Sequence, residues 1–263
     1  MSMSIDEQRR LYTVVTLVEP EDAQRVQYRP DLTAADTLPL PAWKEGLAFT
    51  TDPMLFQSIL QSYPLLLNGK EKEAQAMLRT FGVKLEQVQP AWDFLRRHNT
   101  PKDHELTLWV LGHHGDPQHR VLACALLMNF TDADSTWWQL VDALRDGNEL
   151  VRSMASSVQR ALTRHRAREV DWRPVLASLR PVLRGTNVSA YLDTLEMLRV
   201  TKVAPELNRD LLAGADDLLI AFLKAEHAPS RQRVNDFLQY VSGQGKRSPE
   251  EWQHWLAQLQ AKS

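Results

Sequence analysis

The sequence predicts an all-α fold, a right-handed α-solenoid of antiparallel helix pairs preceded by an irregular N-terminal segment, and three observations support this. Two stretches, Asp116-Pro117-Gln118-His119-Arg120-Val121-Leu122-Ala123-Cys124-Ala125 and Asp146-Gly147-Asn148-Glu149-Leu150-Val151-Arg152-Ser153-Met154-Ala155, repeat an Asp-led turn that opens a helix, with Val and Ala in matching places. From about residue 52 onward, helix start and stop signals recur at short intervals with almost no strand-like alternation between them. Finally, 43% of the 263 residues are hydrophobic, enough for a substantial core.

The first fifty residues stand apart. Leu11, Val14, Val15 and Val18 fall at helical spacing and Ser4 with Glu7 matches a capping box, while Tyr12-Thr13-Val14-Val15-Thr16 is β-branched enough for a strand. Both readings stay open, the helix being preferred. Residues 19–42, with Pro20, Pro30, Pro39 and Pro41, read as a long irregular connection. The domain division is therefore 1–50 and 51–263.

Asp52-Pro53 caps the next helix, whose Met54, Leu55, Phe56, Ile59, Leu60 and Tyr63 are apolar at helical spacing; Asn68-Gly69 closes it, with Pro64 a candidate kink. Helices follow over Lys70–Phe81, ended by Gly82, and over Lys84–Arg97. Thr100-Pro101-Lys102-Asp103 starts a helix that stops at Gly112–Gly115, and its partner runs from Pro117 to about Phe130. Ser135–Arg145 pairs with Asn148–His165 across Gly147. Later helices are expected over Trp172–Leu183, Val188–Val200, Pro205–Leu212, Asp216–Ala225, Ser230–Val241 and Pro249–Gln260. The last opens on the capping box Ser248-Pro249-Glu250-Glu251 and turns Trp252, Trp255, Leu256 and Leu259 to one face, which suits a terminal helix covering the end of a stack.

Composition excludes several classes of function. No apolar run approaches the roughly 20 residues that span a bilayer, and the start Met1-Ser2-Met3-Ser4-Ile5-Asp6-Glu7 lacks the features of a signal peptide, so a cytoplasmic protein with no membrane partner is expected. One cysteine, Cys124, gives neither a disulfide framework nor a cysteine-rich metal site and reads as a small buried hydrophobe. A net charge of −2 gives no global attraction to nucleic acid. There is no Gly-rich phosphate loop, no GxSxG elbow and no credible Cys/His nucleophile pair, and no cofactor is expected. His113, His114 and His119 with Asp116 have ligand chemistry but straddle a turn without a second cluster to complete a shell; they read as helix-end histidines beside a capping Asp.

Arginine is dense between residues 145 and 184, and this stretch could take phosphate or an acidic protein, since a guanidinium offers bidentate bonds to either. The plainer reading is a solvated helix end and loop.

The matched segments resemble HEAT-like repeats of the short kind also found in phycobilisome lyase-type proteins. The resemblance covers about residues 101–165 and implies a stack of paired helices, A and B, with an Asp in the turn before helix B and an Arg six positions later forming a ladder between repeats. Asp146 and Arg152 match this pattern, whereas the earlier unit keeps Asp116 but has Leu122 at the Arg position. The resemblance implies a fold and not bilin chemistry, because one repeat type serves many scaffolds. Trp137-Trp138-Gln139-Leu140-Val141-Asp142 is similar to a helix of HEAT-like alkylpurine DNA glycosylases. That similarity implies that Trp138 and Asp142 face DNA, with Asp142 stabilising positive charge on the sugar. The same helix also reads as core packing by Trp137, Leu140, Val141 and Leu144.

The expected function is a non-enzymatic scaffold that binds another macromolecule, a protein in the first instance, on its B-helix surface. The candidate contacts are Arg120, Arg152, Arg160, Arg164, Arg166 and Arg168, with Asp193, Arg199, Arg231 and Arg233 further along the same face. The alternative is a DNA-binding or glycosylase-like protein using Trp138, Asp142 and the arginine patch.

Overall fold

The computed structural model describes residues 43–184, 188–212 and 216–260. Among them lie fourteen α-helices and no strand. The first seven are α1 (Lys44–Phe49), α2 (Pro53–Leu67), α3 (Glu71–Thr80), α4 (Leu85–Arg97), α5 (Pro101–His113), α6 (Pro117–Leu126) and α7 (Asp134–Ala143). The remainder are α8 (Glu149–His165), α9 (Leu176–Arg184), α10 (Val188–Val200), α11 (Pro205–Leu212), α12 (Asp216–Lys224), α13 (Ala228–Ser242) and α14 (Pro249–Gln260). The fold is all-α. The expected helix or strand around residues 11–18 and the connection over 19–42 lie outside the described residues.

Local signals set most boundaries. Asp52 caps α2 by accepting from Leu55 N at 3.0 Å, and Pro53 occupies the first turn, where its missing N–H costs nothing. The helix runs through Pro64 to Leu67 and ends where Gly69 takes φ +70°, a conformation open to glycine at little cost. Thr100 and Asp103 form a reciprocal capping box on α5, and Ser248 with Glu251 does the same for α14. Helix α6 stops at Leu126 and continues as a 3-10 turn, Leu127–Phe130, instead of remaining α-helical to Phe130.

From α5 onward the helices pack in two rows. Helices α5, α7, α9 and α11 are successive neighbours in one row, and α6, α8, α10 and α13 in the other. The rows join through the pairs α5–α6, α7–α8, α9–α10 and α11–α13, while α12 packs on α13 and α14. Trp252 of α14 is completely buried and donates its indole N–H to Asn235 Oδ1 at 3.0 Å, fixing the terminal helix on α13.

The first helices do something different. Helix α1 packs on α6 and α4, and α2 packs on α8, α3 and α4. Since α8 already has α6 and α10 beside it and α7 behind it, α2 takes a further face of α8, and even Ser156, Ser157 and Gln159 on α8 are buried. The helical unit also starts before residue 51. Leu40–Ser263 forms one unit, in which Trp43 is buried and Gly46 lies so close to Phe94 and Leu122 that a Cβ there would stand 2.5 Å from the Phe94 ring. Asn129 ties this region together, donating to Leu95 O at 2.7 Å and His98 O at 2.8 Å while accepting from Tyr63 Oη at 2.7 Å.

Candidate binding surface

The arginines of the second row are placed by a repeated device. Arg120, Arg152 and Arg231 are each the fourth residue of their helix, in α6, α8 and α13. Each donates from Nη1 to the carbonyl six residues earlier: Arg120 to His114 O at 2.6 Å, Arg152 to Asp146 O at 2.7 Å and Arg231 to Ala225 O at 2.6 Å. Helical side chains lean toward the N-terminus, so an Arg at this position reaches carbonyls that the preceding turn leaves without helical partners.

One of these arginines also reaches the next helix pair. Arg120 grips the Asp146 carboxylate with two bonds, Nε to Oδ2 at 2.8 Å and Nη2 to Oδ1 at 2.9 Å, and both side chains are mostly buried. The side chain of Asp146 therefore pairs with Arg120 of the preceding helix pair and not with Arg152, whose bond goes to the Asp146 main chain. The helix register explains the difference. Asp116 caps α6, but the equivalent cap on α8 is Asn148, which accepts from Leu150 N at 2.9 Å; the two units align with a spacing of 32 residues rather than 30. Under that alignment Arg120 and Arg152 are equivalent, and Leu122 is simply a buried core residue.

Further along, Asp193 of α10 is a buried hub, 5% exposed, and not the exposed surface residue expected. Arg233 of α13 donates to its Oδ1 at 3.0 Å, and Ser156 of α8 donates to Oδ2 at 3.4 Å. Arg160 of α8 places Nε 3.2 Å from Oδ2, an ion pair whose N–H does not aim at the oxygen, so that Nε is buried without a hydrogen bond. A buried carboxylate needs such cations, and the half-exposed Arg160 and Arg233 bring them to Asp193 from α8 and α13.

This hub forms the floor of a cleft of about 220 Å³ between α8, α10 and α13. Its α8 wall presents Arg160, Thr163 and Arg164. The acids that face it are engaged: Glu196 accepts from Arg199 Nη2 at 2.7 Å and Nε at 3.1 Å, and Asp236 accepts from Gln232 Nε2 at 2.6 Å. The Glu196 hydrogen bonds raise the Arg199 guanidinium above its ordinary value, against the opposing effect of burial. Arg164 is exposed and, among the described residues, makes no hydrogen bond or ion pair.

The remaining expected contacts are spent on structure. Arg166 donates to Thr131 Oγ1 at 3.0 Å and to Asn68 Oδ1 at 2.7 Å, and Arg168 donates to Thr131 O at 2.7 Å and pairs with Asp134. Both tie the segment after α8 to neighbouring elements instead of standing free. Trp138 of α7 is half-buried and gives its indole N–H to Asp171 O at 2.8 Å, whereas Asp142 of the same helix is exposed.

Among the described residues no group of three His, Cys, Asp or Glu is arranged to hold a metal ion. His113 Nδ1 lies 3.0 Å from Trp109 O, His119 Nδ1 lies 2.8 Å from Asp116 Oδ2, and the His114 and His119 rings stack at 4.2 Å. Burial and the neighbouring His119 lower the His114 pKa below its ordinary value. Cys124 is completely buried, which pushes its thiol pKa well up and leaves it inert as a nucleophile. Among the described residues no helix is long and apolar enough to cross a membrane.

Comparison of the chain with protein-family models, with curated proteins and with solved structures gave no match.

Sequence reasoning missed the Asp193 hub and the repeated arginine. The latter had a signal: an Arg four residues into each helix that starts at Pro117, Glu149 or Ala228. The hub had none, because Asp193 is separated from Arg160 and Arg233 by 33 and 40 residues.

Proposed function

We propose that the chain is a right-handed HEAT-like α-solenoid whose second-row helices, α8, α10 and α13, form a docking surface for another protein. The two rows from α5 to α13 support the repeat assignment, since each second-row helix contacts its predecessor and successor in that row. The observation that carries the functional reading is the charged cleft on those helices, where Arg160 and Arg164 lie together beside a pre-ordered set of ion pairs. A surface held in place before a partner arrives spends little ordering entropy on binding.

The docking surface is narrower than the whole second row. Helix α2 takes one face of α8, and Arg120 and Arg152 are committed to turns, which leaves the seam around Arg164. Arg164 is also the clean probe, because Arg160, Arg166 and Arg168 all support the fold. Purified protein is used to capture partners from its native cell extract at about 50 mM and at about 500 mM salt, where exposed charges are strongly screened. The expected result is one protein held by the wild type at low salt and lost with Arg164→Glu, with unchanged thermal unfolding. Retention of the same protein by both forms, or turnover of a small molecule with no protein retained, overturns the proposal.

A further inference from the structure

We propose that the cleft between α8, α10 and α13 is an oxyanion site that seats one carboxylate or phosphoryl group through Arg164 and Arg160. In the scaffold reading, on which the choice of a protein as carrier rests, the group sits on a side chain of the docked partner.

The inference comes from the balance of hydrogen-bonding groups. Every acid facing the cleft already has a partner: Asp193 holds Arg233 and Arg160, Glu196 holds Arg199 with two bonds, and Asp236 accepts from Gln232. The arginines are not used to the same extent. Among the described residues Arg164 makes no hydrogen bond or ion pair, and Arg160, with a side chain 42% exposed, is held to Asp193 by charge without a hydrogen bond. Four arginines, Arg160, Arg164, Arg199 and Arg233, line the cleft against three acids, so its uncommitted charge is cationic. An incoming oxyanion would accept from the guanidinium groups of the α8 wall. Charge-assisted bonds from guanidinium to a carboxylate or phosphoryl oxygen are the strongest that this set of side chains can form.

Size narrows the ligand. The cavity measures about 220 Å³. Pockets for drug-sized ligands begin at about 300 Å³, so the cleft suits a single oxyanion group rather than a nucleotide. Arg160 and Arg164 stand one turn apart on α8, so the two approach one anion from a single wall.

The test follows arginine Nε–H and backbone amide resonances of the whole chain by NMR during titration with inorganic phosphate, with sodium chloride of matched ionic strength as the control. Two otherwise identical peptides, one with a phosphoserine and one with a glutamate, form the second arm, and a glutamine peptide is their blank. Phosphate is expected to shift the Arg160 and Arg164 signals saturably, and Arg164→Gln to weaken binding about tenfold. Arg164→Lys should fall between, because it keeps the charge but loses the bidentate fork. No saturable shift with phosphate or either anionic peptide, shifts that chloride reproduces, or unchanged affinity in Arg164→Gln overturns the site. Phosphate binding with neither anionic peptide bound supports the site and counts against a protein as its carrier, so the two proposals fail separately.

Discussion

Deleting Arg120 and deleting Arg152 should have very different relations to Asp146, and a pair of double-mutant cycles exposes the difference. The Arg120 and Asp146 side chains are 15% and 12% exposed, and two hydrogen bonds join them. Removing one member of a buried pair costs about 3–5 kcal/mol because the other charge is stranded. Asp146 keeps the Asn148 N–H at 2.8 Å, so the lower end, about 3 kcal/mol, is expected for Arg120→Ala. Arg120 in turn keeps its bonds to His114 O and Gly115 O when Asp146 is truncated. The coupling isolated by the cycle is therefore smaller than either single loss, about 2 kcal/mol. Arg152 bonds the main-chain oxygen of Asp146, which survives Asp146→Ala. Its own removal should cost about 1–2 kcal/mol, yet its coupling to Asp146→Ala should be under about 0.5 kcal/mol. Urea unfolding of the wild type and the five variants, with constant slopes, reads both couplings. A 146–152 coupling equal to or larger than the 120–146 coupling refutes the register and restores the Asp146–Arg152 pairing that the resemblance implies.

Other consequences follow from packing, capping and titration. Gly46→Ala should cost about 1–3 kcal/mol, because the new methyl meets the Phe94 ring and Leu122 Cδ2 at 2.5 and 2.6 Å; an unchanged urea midpoint would place α1 elsewhere. Asn148→Ala should cost about 1 kcal/mol by removing the α8 cap, and a loss below about 0.3 would show that the cap is not used. Burial, first among the causes, lowers the pKa values of His104, His114 and His165 below the ordinary 6.5. The unfolded chain then binds more protons than the folded one below that pH, so stability present above pH 6.5 is lost progressively as pH falls toward the folded values. The Asp103 and Asp116 carboxyls, lowered below 3.8, add their own loss only in stronger acid: burial opposes the shift, but hydrogen bonds from Thr100 and His98 outweigh it at Asp103, and those from Gln118 and His119 at Asp116. Urea midpoints at pH 7.5 and 5.0 should fall between the two, and by less in His114→Gln with His165→Gln; a flat or rising profile in the wild type contradicts this.

Helix boundaries were legible wherever short-range chemistry decides them. Thr100-Pro101-Lys102-Asp103, Asn68-Gly69 and Ser248-Pro249-Glu250-Glu251 each complete their hydrogen bonds within a few residues, so the sequence alone carries the geometry. The packing of α2 on α8 was not legible, because it depends on elements nearly a hundred residues apart, as in the Asn68 Nδ2 bond to His165 O at 2.7 Å. Register failed for a definite reason. The Val and Ala matches at 30-residue spacing obscured the alignment of the caps Asp116 and Asn148, which determines where Arg120 and Arg152 begin to reach back. Arginine density was visible, but its use was not: Arg166 and Arg168 bind the chain to itself, while Arg164, two residues before Arg166, is left without a described partner.

Photo-crosslinking from position 164 tests the docking surface most directly. A photoreactive residue replaces Arg164 on the cleft wall in one protein and exposed Glu86 of α4 in another, and each is irradiated with native cell extract. The replacement removes the guanidinium, so the experiment is run at about 50 mM salt, where the remaining charges still attract. A discrete protein adduct at position 164, absent at 86 and suppressed by excess unlabelled wild-type protein, is the predicted result. The same adducts from both positions, or an adduct at 164 that excess wild-type protein does not suppress, would contradict a partner at the α8–α10–α13 seam.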